Sequence, residues 1–154
     1  MKIYLAADHA GFALKEAIKK HLKGQGLTVE DQGAFALDPE DDYTDYVKIV
    51  AKLIQSEPES RGIVLGGSGQ GEAIAANRFA GVRAVVYYGG PEEIIKLSRQ
   101  HNDANVLSLG ARFINETEAL SMVDLWLTTD FSNDERHRRR LRAIDDQTSS
   151  GRLI

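Results

Sequence analysis

Five short apolar segments alternate with stretches of helical periodicity along the chain, and this alternation restricts the fold more than any other feature. The apolar segments are Ile3–Ala7, Leu27–Asp31, Gly62–Leu65, Arg83–Tyr88 and Val106–Leu109. The helical stretches are Leu14–Leu22, Tyr46–Ile54, Glu72–Phe79, Pro91–Gln100 and Glu116–Leu127, followed by an arginine-rich helix capped by Asn133 or Asp134. Such alternation forms right-handed βαβ units, in which helices cover both faces of a parallel sheet. We predict one doubly wound, Rossmann-like α/β domain with a five-stranded parallel sheet over residues 1–146, and a polar tail over 147–154 that is mobile or used in assembly.

The composition narrows the classes of function. The 154 residues include no cysteine, which excludes disulfides, thiolate metal sites and cysteine nucleophiles. The net charge of −4 makes nucleic acid a poor partner. The N-terminal apolar run is too short for a signal peptide, and no stretch is apolar enough to span a membrane. We therefore expect a cytoplasmic protein with no membrane partner.

The loops that follow the predicted strands are the place to look for a ligand site. In open parallel sheets, ligands bind beyond the carboxyl ends of the strands, where the strand order reverses. Three such loops carry glycines and charged side chains: Asp8–Gly11, Gly66–Glu72 and Gly110–Arg112.

The segment Gly66–Gly71 has four glycines in six residues and lies between a buried strand and a helix. Glycines let main-chain N–H groups approach an anion, and the following helix adds its positive end. The segment has neither the spacing of a dinucleotide fingerprint nor the Lys-Ser/Thr pair of a P-loop. The pattern favours a ligand-binding loop over a tight turn without a ligand.

Glu72 follows this loop directly. One interpretation is an acid that complements the helix dipole. The other is a general base, since a carboxylate beside main-chain amides can take a proton from carbon while those amides stabilise the enediolate oxygen. Ser68 can supply a further donor.

The histidines and arginines suggest further candidates. His9 and His101 are each either an acid–base group or a structural histidine. We interpret His21 as structural and His137 as solvated, and no metal-ligand spacing is present.

Arg112 lies at a glycine turn where a phosphate anchor belongs. Arg136 and Arg140 are four residues apart and share a helix face. Four interpretations of this face are open: a solvated surface, a nucleic-acid contact, a phosphate site or a contact with a neighbouring subunit. The acidic total and the absence of interleaved aromatics argue against nucleic acid.

Several motifs together resemble the ribose-5-phosphate isomerase B family, which shares its fold with galactose-6-phosphate isomerase subunits. The resemblance extends from Met1 to Ile144 in the same order. The motifs are Asp8–Gly11, Gly62–Glu72, Ala75–Asn77, His101–Leu107 and Arg136–Arg140.

This resemblance implies interconversion of ribose 5-phosphate and ribulose 5-phosphate through a cis-enediol, with no cofactor and no metal. Many members of the family use a cysteine base at the position of Gly66. A subset with the pattern Gly-Gly-Ser-Gly-x-Gly-Glu uses the glutamate instead, which assigns the base to Glu72. Such a base needs partial desolvation, so we predict a raised pKa for Glu72.

The resemblance also assigns the other site residues. The catalytic residues would be Glu72, Ser68 and His101. Among them, His101 would be the acid that opens the sugar ring. The substrate-binding residues would be Asp8, His9, Tyr43, Gly67, Ser68, Gly69, Gln70, Gly71, Asn102, Arg112, Arg136 and Arg140. Arg136 and Arg140 would reach the phosphate from a second subunit, which implies a homodimer or tetramer that uses the C-terminal helix.

Three alternatives stay open at this point. The first alternative is that the substrate is another phosphosugar, such as a 6-phosphohexose. The second is that the chain is a non-catalytic sugar-phosphate binder, and the third is that the arginine-rich helix binds nucleic acid. Joint retention of Glu72, Ser68 and His101 argues against a binder, because binding requires only the phosphate groups.

Overall fold

The computed structural model describes residues 1–149 and contains five strands and six helices in that range. The strands are Lys2–Ala7 (β1), Thr28–Asp31 (β2), Arg61–Gly66 (β3), Ala84–Tyr87 (β4) and Val106–Gly110 (β5). The helices are Phe12–Gly24 (α1), Tyr43–Ser56 (α2), Gln70–Ala76 (α3), Glu93–Gln100 (α4), Glu116–Thr128 (α5) and Glu135–Ser149 (α6).

The strands form one parallel sheet in the order β2-β1-β3-β5-β4, which confirms the predicted α/β fold. The chain moves outward from β1 to β2 and then returns to place β3 on the other side of β1. The strand order therefore reverses between β1 and β3, and a crevice opens there beyond their carboxyl ends.

Alternate residues of the central strands enter two separate apolar layers, as the period of two in a strand requires. Ile3, Leu5, Ile63 and Leu65 belong to the larger layer, which α1, α4 and α5 cover and which includes the fully buried Trp126. Tyr4, Ala6 and Val64 belong to the smaller layer beneath α2 and α3. Burial on both faces explains why the strands are nearly continuous apolar runs.

Two predicted helix boundaries were wrong. Helix α3 begins at Gln70 and ends at Ala76, so that Glu72 is its third residue and does not open it. Gly69 causes the early start, because its left-handed φ of +75° turns the chain directly into the helix. Helix α4 begins at Glu93, and Pro91 lies in the preceding turn, where its carbonyl accepts from the Ile94 N–H.

Helix α6 begins directly after Asp134, whose carbonyl accepts from the N–H groups of His137 and Arg138. Residues 147–149 of the predicted tail continue this helix, and residues 150–154 lie outside the described part of the chain. Among residues 1–149 there is no helix whose length and apolarity would suit it to cross a membrane.

Candidate active site

The crevice between the ends of β1 and β3 holds a cavity of about 360 Å³. All three glycine-bearing loops that follow strands contribute to its wall. The lining residues are Asp8, His9, Ala10, Tyr43, Gly67, Ser68, Gly71, Glu72, Arg112 and Phe113. A larger and more open depression of about 720 Å³ lies between α1 and α5, but none of these three loops lines it.

The glycine loop packs against the end of β5. The Ser108 hydroxyl of β5 donates to the Gly69 carbonyl over 2.6 Å. A Cβ built on Gly69 would lie 3.0 Å from the main chain of Leu109, so this position needs glycine for its contact as well as for its φ. Gly67, Ser68 and Gly71 of this loop line the cavity, whereas Gly69 and Gln70, which were predicted to contact the substrate, do not.

Tyr43, the first residue of α2, packs directly on Gly71. A Cβ on Gly71 would lie 2.6 Å from the Tyr43 hydroxyl oxygen. The absence of a side chain at Gly71 therefore lets the phenol reach the cavity wall.

Glu72 is buried, with only 4% of its surface exposed, although it lines the cavity. Burial raises the pKa of its carboxyl, and the negative charge of Asp8 raises it further. The opposing effect of the Glu72 main-chain N–H is smaller than the effect of burial. The predicted direction of the shift is confirmed, and it gives the carboxylate the higher basicity that proton abstraction from carbon requires.

His9 is held by a carboxylate that the sequence did not single out. Asp41 Oδ1 accepts from the His9 main-chain N–H over 2.9 Å and lies 2.7 Å from the His9 ring nitrogen Nδ1. In the turn between β1 and α1, Asp8 Oδ1 accepts hydrogen bonds from the N–H groups of Ala10 and Gly11. These bonds stabilise the turn that contains His9. In the sequence, Asp41 was one acid among several in a loop, and no local signal distinguished it.

Arg112 lies over the glycine loop, with its guanidinium Nη1 3.2 Å from the place where a Cβ of Gly67 would stand. The next residue, Phe113, is 64% exposed and contacts Tyr88 edge-on at 6.1 Å between ring centres. One wall of the cavity is therefore cationic, and its rim is apolar.

Four predicted site residues lie away from the cavity, towards the opposite edge of the sheet: His101, Asn102, Arg136 and Arg140. His101 and Asn102 precede β5, and the nearby Asn105 carbonyl accepts from Gly62 N–H at the amino end of β3. Since β3 spans six residues, roughly 15–20 Å separates this edge from Glu72. A single copy of the chain does not bring His101 to Glu72.

Helix α6 begins at the same edge as His101. The Ser132 N–H donates to the Gln100 carbonyl, and the rings of His101 and His137 stack at 4.2 Å. Arg136 and Arg140 are exposed on this helix. The interpretation of His137 as solvated was wrong, because its ring is covered by His101 and only 2% of the residue is exposed.

His21 hydrogen bonds through Nε2 to both carboxylate oxygens of Asp124 at 2.9 Å. This contact links α1 to α5 and agrees with a structural role.

Asp8, His9 and Asp41 place possible metal-ligand atoms within 4.8 Å of one another. The separation of 2.7 Å between His9 Nδ1 and Asp41 Oδ1 is that of a hydrogen bond. The expectation of a metal-free site stays a prediction.

The sequence model described as Ribose/Galactose Isomerase matches residues 3–144. The chain belongs to this family. It is 43% identical to ribose-5-phosphate isomerase B of Mycolicibacterium paratuberculosis over 92% of this chain and 87% of that protein. It is 41% identical to the Escherichia coli protein of the same name over 93% of each chain. A crystal structure of ribose-5-phosphate isomerase B from Mycoplasma genitalium with bound ribulose-5-phosphate superposes with a TM-score of 0.92, at 36% identity over 96% of each chain.

The Glu72 carboxylate lies against Gly66, the last residue of β3. A Cβ built on Gly66 would overlap this carboxylate. The carboxylate therefore occupies the space that a side chain at the end of β3 would fill. The glutamate reaches this place from the first turn of α3.

Proposed function

We propose that this chain interconverts ribose 5-phosphate and ribulose 5-phosphate, with Glu72 as the base that moves a proton between C1 and C2. The observation that supports this most is a buried carboxylate of raised pKa that lines the same cavity as Gly67, Ser68 and Gly71. The names of relatives more than 40% identical over nearly the whole chain support the same reaction.

The geometry supports a cis-enediol mechanism. Glu72 takes the C2 proton of the open-chain aldose, and the electrons of that C–H bond form the C1–C2 double bond of the enediolate. The main-chain N–H groups of the glycine loop and the Ser68 hydroxyl stabilise the oxyanion, an effect worth about 10²–10³ in rate. Glu72 then returns the proton to C1 while the proton of the C2 hydroxyl passes to O1, so that C2 becomes the carbonyl carbon of the ketose.

The pH dependence of this step follows from the burial of Glu72. The base works only when ionised, and its pKa lies above the ordinary 4.5. Turnover is therefore lost on the acid side as the pH falls through that raised value.

The phosphate would bind beside Arg112 and His9, on the cationic side of the cavity. A guanidinium offers paired donors to phosphate oxygens. This placement leaves the C1–C2 end of the sugar near Glu72 and Ser68.

A second copy of the chain would complete the site. His101, Asn102, Arg136 and Arg140 lie too far from Glu72 to act on the same substrate within one chain. Phe113, which lines the cavity, is exposed, and so is Ile74 on α3 (59% exposed). Such a surface suits an isologous contact, in which each copy supplies His101 and the arginines to the other.

The test is hydrogen exchange at C2, followed by NMR in D₂O with ribose 5-phosphate and a 6-phosphohexose. We expect exchange and ketose formation with the pentose phosphate. Glu72→Gln should lower both by at least about 10²–10⁴, since it removes a positioned base. Faster exchange with the hexose phosphate would assign the six-carbon substrate, and no exchange with either would favour a non-catalytic binder.

Glu116→Gln is the matched control for this test. Glu116 also lies in the first turn of a helix, but it is exposed and does not line the cavity. If Glu72 only complemented a helix dipole, the two substitutions would have similarly small effects. Near-normal turnover of Glu72→Gln would reject its assignment as the base.

A further inference from the structure

The contact between Asp41 and His9 carries an inference that rests on the proposed function and extends it. The two residues are 32 positions apart, and Asp41 belongs to the loop before α2. One oxygen, Oδ1, contacts both the main chain and the ring of His9, at 2.9 and 2.7 Å. The Asp41 side chain is only 6% exposed and that of His9 is 31% exposed, so the carboxylate is shielded from solvent and the imidazole is partly open to it.

Asp41 is ionised at neutral pH. Burial alone raises the pKa of its carboxyl, but hydrogen bonds from the His9 main chain, the His9 ring and the Tyr46 hydroxyl outweigh burial and lower the pKa. An ionised carboxylate only accepts hydrogen bonds, so His9 Nδ1 must carry a hydrogen. Nε2 is then the ring nitrogen left for a ligand.

The charges around His9 come from three segments of the chain. Asp41 acts through its hydrogen bond, and Asp8 adds a second negative charge from the end of β1. Burial and the positive charge of Arg112 oppose them, but the balance raises the pKa of His9 above 6.5. The ring therefore carries both hydrogens, and acts as a cationic donor, up to a higher pH than an ordinary histidine does.

We propose that Asp41 is a positioning residue, which orients His9 so that its Nε2–H donates to the phosphate of the sugar substrate. The same oxygen fixes the main chain at the start of the turn and the rotation of the ring. His9 lines the cavity beside Arg112, where the two cations would hold the phosphate between them.

The first test needs no turnover. NMR titration of the His9 ring in ligand-free protein should show a midpoint above 6.5 in the wild type and a lower one in Asp41→Asn. Binding of inorganic phosphate at neutral pH should weaken in the same variant by about tenfold, as expected when a hydrogen bond from a charged group is lost. These readouts stand even if the isomerase assignment fails, so the two proposals can fail separately.

The second test uses ribose 5-phosphate. Asp41→Asn should raise KM about tenfold and leave kcat within about twofold, because the phosphate contact is the same in the ground state and the transition state. The basic limb of kcat/KM should move to lower pH, since a His9 with a lower pKa loses its second hydrogen earlier. In a His9→Gln background, Asp41→Asn should have little further effect on KM.

Asp38→Asn is the matched control, because it removes one negative charge from the same loop at an exposed position. The Asp38 side chain accepts from the Glu40 N–H, which an asparagine can also do. An unchanged His9 midpoint in Asp41→Asn, or an equal rise in KM with and without His9, would overturn the proposal.

Discussion

At the scale of single residues, the end of β3 has space for one functional side chain. The Glu72 carboxylate fills the volume next to Gly66, where any Cβ would overlap it. Glycine at position 66 and glutamate at position 72 therefore depend on each other. A glutamate base at position 72 of α3 requires glycine at position 66. A side chain at position 66 would require a residue other than glutamate at position 72.

Gly66→Ala tests this dependence. We expect kcat to fall by about 10²–10⁴, similar to the loss of the base itself, because the new methyl group displaces the carboxylate. Gly24→Ala is the control, since a Cβ at the end of α1 would meet nothing within 4 Å. Steady-state kinetics and thermal unfolding of both variants provide the check. A folded Gly66→Ala enzyme with wild-type kcat would contradict the mutual exclusion.

At the scale of elements, an ion cluster joins α1 to the end of β2. Lys15 is completely buried, and its Nζ donates to both oxygens of Asp31 at 2.8 and 2.7 Å. Lys19 adds a third contact to Asp31, which also accepts from the Gly33 N–H. Burial alone raises the pKa of Asp31, but these hydrogen bonds outweigh it and lower the pKa. The cluster therefore stabilises the fold above the unfolded pKa of about 3.8, and this contribution is lost as the pH falls through the lower, folded value.

Lys15→Met should lower the free energy of unfolding by about 3–5 kcal/mol, since it leaves a poorly solvated carboxylate with fewer partners. Lys48→Met is the control, because the Lys48–Asp45 pair has a similar length of 2.6 Å but both side chains are more than half exposed. We expect about 0–1 kcal/mol for that surface pair. Urea unfolding at pH 7 measures both. Equal effects would mean that the buried cluster contributes no more than a surface pair.

At the scale of the whole molecule, the sheet separates Glu72 from His101 and Asn102, which were predicted to act on the same substrate. The glycine loop, Glu72 and Arg112 follow carboxyl ends of strands, whereas His101, Asn102 and the start of α6 lie at the amino edge. No rotation of a side chain covers the length of a strand. The site shared between copies that we propose would use both sets.

Mixing of two inactive variants tests that arrangement. Glu72→Gln and His101→Ala chains, refolded together, should recover about a quarter of wild-type activity, because half of the pairs are mixed and each mixed pair has one intact site. Glu72→Gln mixed with Ser68→Ala should recover nothing above the average of the parents, since both changes affect the same edge. Failure of the first mixture to recover activity would refute sharing.

The sequence by itself determined the fold class, the loops that form the cavity and the direction of the Glu72 pKa shift. The fold class and the loops depend on local patterns: apolar periodicity and glycines that free the main chain. The pKa shift was predicted from the base role that the family resemblance implies, and burial between packed elements causes it. Only the tertiary structure decided that Asp41 holds His9, that His137 is buried under His101, and that His101 lies at the far edge from Glu72. Those facts depend on contacts between distant parts of the chain. Local periodicity sets which face of an element is buried, but the packing of elements decides which polar groups meet.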